Sequence, residues 1–99
     1  NEKFSLDIVH SNRSAACLKL GQHERALADA EVALEINPNN LKALFRKGLA
    51  LHAGGQYYTA LPVLGQAHKI EPHNKQIAQA LKFCEVRVEQ DQRKRMKGL

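Results

Sequence analysis

Lys42 and Arg46 lie four residues apart. On a helix such a pair shares one face, with side chains rooted about 5–6 Å apart. Two cations so placed suit a carboxylate: Lys acts as a point charge and Arg as a planar fork. Phe45 and Lys47 flank the pair, and the amide of Asn12 offers a further donor. The same pair can equally be two solvated surface charges, and spacing alone leaves both readings open.

Other chemistry is poorly signalled. The five histidines (His10, His23, His52, His68 and His73) show no zinc-site spacing. Cys17 and Cys84 form no C-x-x-C motif and fall in helix-like stretches, which points to small buried thiols rather than a disulfide framework. A nucleophile would need a base and an oxyanion site, and neither is signalled. Gly54-Gly55 reads as a turn between helices, not a phosphate loop. The expectation is a binding segment without catalysis, metal or cofactor. Arg87 and the run Arg93-Lys94-Arg95-Met96-Lys97 form the remaining positive feature. They read as a solvated helix end whose cations complement the helix dipole. Alternatives are a calmodulin-type basic helix, an acidic-membrane contact or a nuclear-import cluster. The apolar anchors there are few (Val86, Val88, Met96 and Leu99), and no aromatic interleaves the cations, so nucleic-acid binding is not expected.

The elements that must position these residues follow from 99 residues, enough for one domain. The chain is 43% hydrophobic and 25% charged, an ordinary globular balance that argues against disorder. No apolar run approaches the roughly 20 residues of a membrane span, and polar Asn1–Leu6 does not read as a secretory leader. The net charge of +5 is uneven: −2 over residues 1–40, +3 over 41–74 and +4 over 75–99. An acidic partner is therefore expected at the second half.

Residues 7–40 and 41–74 share nine identities at an offset of 34, among them Gly21/Gly55, Ala26/Ala60, Ala33/Ala67, Pro38/Pro72 and Asn40/Asn74. Chance would give roughly two from ordinary composition. Gly21 and Gly55 suit left-handed helix ends, and Pro38 and Pro72 stop the helices before them. The paired small residues, with Ser14/Gly48, let helices approach closely. Five helices are expected, at about 6–20, 23–36, 40–53, 56–70 and 74–96, with Asn40 and Asn74 as N-caps. Leu27, Ala30, Val32, Ala33, Leu34 and Ile36 are expected on the inner side of the second helix, and Ile77, Ala80, Leu81, Cys84 and Val88 along the last. Pro62 falls about two turns into the fourth helix and should cost it a hydrogen bond; a later start or a kink is the alternative.

This period and pattern resemble the tetratricopeptide repeats. The resemblance implies an all-α antiparallel superhelix of two repeats, 7–40 and 41–74. Residues 75–99 are expected to form a basic capping helix and tail, and 1–6 a remnant of an upstream repeat or linker. The chain reads as a fragment lacking a preceding repeat, whose uncapped first helix should expose apolar surface and offer a route to self-association. Repeat positions 2, 5, 6 and 9 of the first helices face the concave side. They put Asn12 beside Lys42, Phe45 and Arg46, and Lys47 is expected to help shape the flanking pocket.

Asn12 within Ser11–Leu20, and Leu41-Lys42-Ala43-Leu44-Phe45-Arg46-Lys47-Gly48, resemble the carboxylate-clamp repeats of chaperone-binding proteins. That resemblance implies binding of the acidic C-terminal peptide of heat-shock chaperones, the 90-kDa class first and the 70-kDa class second. The family's other clamp Lys and Asn belong to the preceding repeat and have no counterpart here, so the clamp is partial. Residues 38–77, through Gly55-Gln56-Tyr57, Ala60-Leu61-Pro62-Val63-Leu64 and Ile70-Glu71-Pro72, are similar to the large FK506-binding immunophilins, most of all their membrane-anchored mitochondrial branch. That narrower likeness implies a cytoplasmic-side module, a parent anchored at the mitochondrial outer membrane or endoplasmic reticulum, and an upstream prolyl-isomerase domain. It also implies a calmodulin contact through Arg87, Arg93, Lys94, Arg95 and Lys97. The competing functional reading is a helix-binding scaffold that does not read a carboxylate.

Overall fold

The computed structural model describes residues 5–98; the segment 1–4 and Leu99 lie outside the described residues, and with them most of the expected 1–6 remnant and one tail anchor. Five helices follow in order: α1 (Leu6–Lys19), α2 (His23–Ile36), α3 (Leu41–Ala53), α4 (Tyr57–Ile70) and α5 (Lys75–Lys97). Each boundary lies within a residue of the sequence-based expectation. Asn40 and Asn74 cap α3 and α5, their Oδ1 atoms accepting from the backbone N–H of Ala43 (3.0 Å) and Ile77 (3.1 Å). Gly21 and Gly55 adopt φ of +76° and +81°. There the Gln22 and Gln56 N–H groups reach back 2.9 Å to the carbonyls of Cys17 and Leu51, closing the same left-handed helix end twice.

α1 pairs with α2 and α3 with α4, while α1, α3 and α5 also meet as a row and α5 closes against α4. The resulting body measures 56 × 28 × 20 Å. Close approach is permitted by small residues. Ala26, Ala33, Ala60, Ala67 and Ser14 are all 0% exposed, and the Ser14 hydroxyl donates 2.6 Å to the Ala26 carbonyl. At Gly48 a Cβ would stand 2.7 Å from Leu64 Cγ, closer than packed carbons tolerate, so α3 and α4 touch backbone to side chain. Leu51, Ala60, Leu64, Ala80 and Cys84 form the main core cluster, and Phe45, Leu49 and Tyr57 pack on it. Ile77, Ala80, Cys84 and Val88 are buried along α5. Cys17 and Cys84 are both free and buried, and burial pushes the Cys84 thiol pKa up.

α4 begins at Tyr57, within a residue of its expected start, and holds Pro62 within it, so the alternative of a late start is set aside. Pro62 and Tyr58, whose carbonyl loses its helical donor, are both exposed, so water can replace the missing bond. The inner face of α2 is Ala26, Asp29, Ala30 and Ala33, whereas Leu27, Val32 and Leu34 are half-buried and Ile36 is exposed. Small side chains take the tight contact, and an acid joins them.

That acid ties α1 to α2. Arg13 reaches Asp29 with two parallel bonds, Nε at 2.8 Å and Nη2 at 2.7 Å, and His10 Nδ1 stands 3.2 Å away. Hydrogen bonding from Arg13 first, and then from His10, holds the Asp29 carboxyl below its ordinary value of 3.8. A carboxyl with a depressed folded pKa lends stability above its unfolded pKa and loses it as pH falls through the folded one. The melting temperature is thus expected to start falling only below about pH 4 on this account. Asp29→Asn should flatten that acid limb in circular-dichroism melts; an unchanged limb would assign the acid loss elsewhere.

The α1 end exposes Leu6, Ile8 and Val9 at 63%, 42% and 50%. No helix among the described residues is long and apolar enough to cross a membrane.

Candidate peptide-binding groove

Lys42 stands in the first turn of α3, directly after the Asn40 cap, and Arg46 one turn on. The cap therefore fixes the register that sets both side chains toward the α1–α3–α5 row. Two hollows open there. One, about 330 Å³, lies between α1 and α3 and is lined by Asp7, Ser11, Asn12, Asn37, Asn40 and Lys42, with Ile8 at its edge. The other, about 340 Å³, lies between α3 and α5, with Lys42, Phe45, Arg46, Glu71, Asn74 and Gln76 among its walls. Lys42 and Asn40 belong to both, so the hollows are adjoining parts of one groove.

Asn12 and Lys42 are exposed, whereas Phe45 and Arg46 are half-buried. The Arg46 Nη1 donates 3.3 Å to the Lys42 carbonyl, which leaves most of its fork for another acceptor. Burial lowers the Arg46 pKa from its ordinary value, the direction expected of a cation losing water. A half-dehydrated guanidinium gives up less solvation when it meets an anion. Ser11 also lines the first hollow, with its hydroxyl buried and without a hydrogen-bond partner among the described residues.

Lys47 departs from the set. It lines neither hollow, and its Nζ stands 3.9 Å from Glu31 Oε2 on α2. One residue past Arg46 is a turn of roughly 100°, which swings the side chain from the groove to the neighbouring helix. The expectation that Lys47 shapes the flanking pocket is corrected accordingly.

Two acids in the groove escaped sequence reasoning. The Asp7 carboxylate is buried and accepts from the Ser5 hydroxyl, Asn37 Nδ2 (3.2 Å) and Asn40 Nδ2 (2.9 Å). The Ser5 bond foremost, then those from Asn37 and Asn40, keeps its pKa below 3.8. Asp7 thus pins α1 to the α2–α3 turn and places a fixed negative group in the hollow shared by Asn12 and Lys42. Glu71 lines the second hollow and accepts 2.9 Å from Asn74 Nδ2. The available signal was Asn37-Pro38-Asn39-Asn40, a turn with more amide donors than a cap uses.

The basic tail is partly self-satisfied. Arg87 Nη2 donates 2.7 Å to the Tyr57 hydroxyl, with its guanidinium 5.0 Å from that ring's centre. Arg93 pairs with Glu89 at 3.3 Å, and Arg95 with Asp91 at 3.0 Å while lying over Tyr58. Lys94 and Lys97 are exposed on the same helix. Among the described residues no group of three or more His, Cys, Asp or Glu side chains could hold a metal ion.

A row of inner helices lining a groove, backed by outer helices at a 34-residue period, defines a helical-repeat binding module. Two family models, each described as tetratricopeptide repeat, match residues 8–40 and 30–61, together more than half of the chain. The chain belongs to the tetratricopeptide-repeat family. Over 74 residues (75% of the chain) it is 41% identical to a Protein STIP1 homolog of Dictyostelium discoideum. It is 35% identical, over the same share, to a small glutamine-rich tetratricopeptide repeat-containing protein 2 of Mycosarcoma maydis. These alignments span 13% and 21% of the two relatives, so the chain matches a minor part of each. Among solved structures, the Hsp90 co-chaperone Cns1 of Saccharomyces cerevisiae superposes with a TM-score of 0.80 at 28% identity, over 93% of this chain and 30% of that one.

Proposed function

We propose that this chain is a co-chaperone module that grips the acidic C-terminal end of a heat-shock chaperone, of the 90-kDa class first and the 70-kDa class second. The observation that carries the reading is Lys42, which lines both hollows and so stands between Asn12 on one side and Arg46 on the other. Arg46 and Lys42 pair with carboxylates, Asn12 donates to the peptide's end, and Phe45 floors the groove. Asp7 and Glu71 repel surplus negative charge, so the groove favours a chain end with a defined pair of carboxylates over a polyacidic stretch. The co-chaperone named among the similar structures supports the same class of partner.

The module binds and does not catalyse. By the likeness of residues 38–77, its parent is an immunophilin with an upstream isomerase domain, working on the cytoplasmic side of an organelle membrane. Calmodulin binding by the tail and self-association through exposed Leu6 and Val9 belong to this proposal as secondary contacts.

The test is a competition. A labelled acidic peptide ending in a free carboxylate should be displaced by its unlabelled twin at least tenfold more readily than by the C-terminal amide. Equal displacement by acid and amide removes the carboxylate reading and favours a scaffold that binds a helix instead.

A further inference from the structure

α1 turns Asp7, Ser11, Ser14 and Cys17 inward, and Ile8 and Asn12 toward the groove. Its remaining face carries Leu6, Val9, Arg13, Ala16 and Leu20, all of them exposed. At 3.6 residues per turn these five fall within an arc of roughly 80°. Their spacing alternates between three and four residues, the a and d positions of consecutive heptads. Leu6, Arg13 and Leu20 take a, and Val9 and Ala16 take d.

The repeat supplies the comparison. Val9 and Ala16 correspond, at the 34-residue offset, to Ala43 and Ala50 on α3, and at twice that offset to Ile77 and Cys84 on α5. Those four are at most 1% exposed, because the helix pair before each covers them. On α1 the same face is bare: Val9 is 50%, Leu6 63% and Leu20 72% exposed. Aliphatic side chains left in water along one helix seam gain from a helix laid over them.

We propose that the occupant is α1 of a second copy, packed antiparallel as a short two-stranded coiled coil. The assignment rests on the self-association read from Leu6 and Val9, and adds its orientation and register. Arg13 decides the orientation. A parallel seam would set Arg13 against Arg13, two cations in one a layer, whereas an antiparallel seam layers a against d. One antiparallel register sets Val9 against Leu20 of the second copy, twice by symmetry, and Arg13 against Ala16. The longest side chain of the stripe then meets the smallest, and its charge is already answered within its own chain by the two bonds to Asp29. The alternative register wastes Val9 on Arg13. Antiparallel axes also bring opposite dipole ends together. The seam is short, since α1 rises roughly 21 Å from Leu6 to Leu20. It therefore buries well below the roughly 1,200 Å² of a stable interface, and the dimer is weak, half-formed on the order of 100 μM.

The experiment is sedimentation of the intact chain from roughly 10 μM to roughly 1 mM, followed by disulfide trapping. The wild type should shift from monomer to dimer across that range. Leu20→Lys places a cation at an exposed helix C-terminus, which tolerates it, so the variant should melt with the wild type. Its dimer should be at least about tenfold weaker, because the change removes both Val9–Leu20 contacts. Orientation is read from Val9→Cys and Leu20→Cys chains under mild oxidation, at a concentration where the wild type is dimeric. The mixture should crosslink, and neither variant should crosslink to itself; Cys17 and Cys84 are buried and stay out of the reaction. A chain that remains monomeric throughout overturns the self-association reading and this proposal with it. A dimer indifferent to Leu20→Lys uses another face and overturns the α1 seam. A dimer in which Val9→Cys crosslinks to itself, or in which the mixture fails to crosslink, overturns the antiparallel register while self-association stands.

Discussion

Arg46→Ala is expected to weaken binding of an acidic-ended peptide by about 2–3 kcal/mol, a loss of roughly 30- to 150-fold, because truncating one side of a desolvated charge pair strands the other. Arg46 is chosen ahead of Lys42 on structural grounds. It is half-buried before any ligand arrives, and burial already lowers its pKa. Its interaction with an arriving carboxylate is therefore less screened than that of exposed Lys42. Lys42→Ala should cost less and respond more steeply to added salt. Arg46 bonds only its own helix, to the Lys42 carbonyl, so its removal should leave the fold in place. Isothermal titration of the wild type and the two variants checks the order; Lys42→Ala weaker than Arg46→Ala, or no loss in either, would contradict it.

The largest effect on stability is expected at Leu64. This side chain is 0% exposed, sits in the main core cluster and fills the space that Gly48 leaves open. Leu64→Ala removes the close contact with Gly48 and leaves a cavity in the main core cluster between α3 and α4. A cost of about 3–4 kcal/mol follows from comparable buried leucines. Against the roughly 5–15 kcal/mol of a typical domain, that is enough to unfold a noticeable fraction of the chain. Urea unfolding should show a lower midpoint with an unchanged slope. A loss below about 1 kcal/mol would mean that the α3–α4 seam is softer than the packing at Gly48 implies.

The helices were legible because their signals are local and doubled. Gly21 and Gly55, Pro38 and Pro72, and Asn40 and Asn74 each mark the same backbone event 34 residues apart. Lys42 and Arg46 were legible for a related reason, since a four-residue spacing needs only a helix to become a shared face. The polar partners were not. Arg13 meets Asp29 across 16 residues, and Asp7 meets Asn40 across 33. No period announces such pairs; they depend on how α1 lies against α2 and the turn into α3. Lys47 misled for the opposite reason, because adjacency in sequence to Arg46 turns it away in space toward Glu31. Pro62 shows a third limit, since an exposed helix face absorbs a missing hydrogen bond that a buried one would not.

The claim that Arg46 reads a chain-end carboxylate is tested most directly by crossing the two deletions. Affinities are measured for wild type and Arg46→Ala, each against the free-acid peptide and its amide. The account predicts a coupling of at least about 1.5 kcal/mol, with the free acid losing heavily and the amide scarcely affected by the substitution. Equal losses for acid and amide would show that Arg46 and the carboxylate never meet.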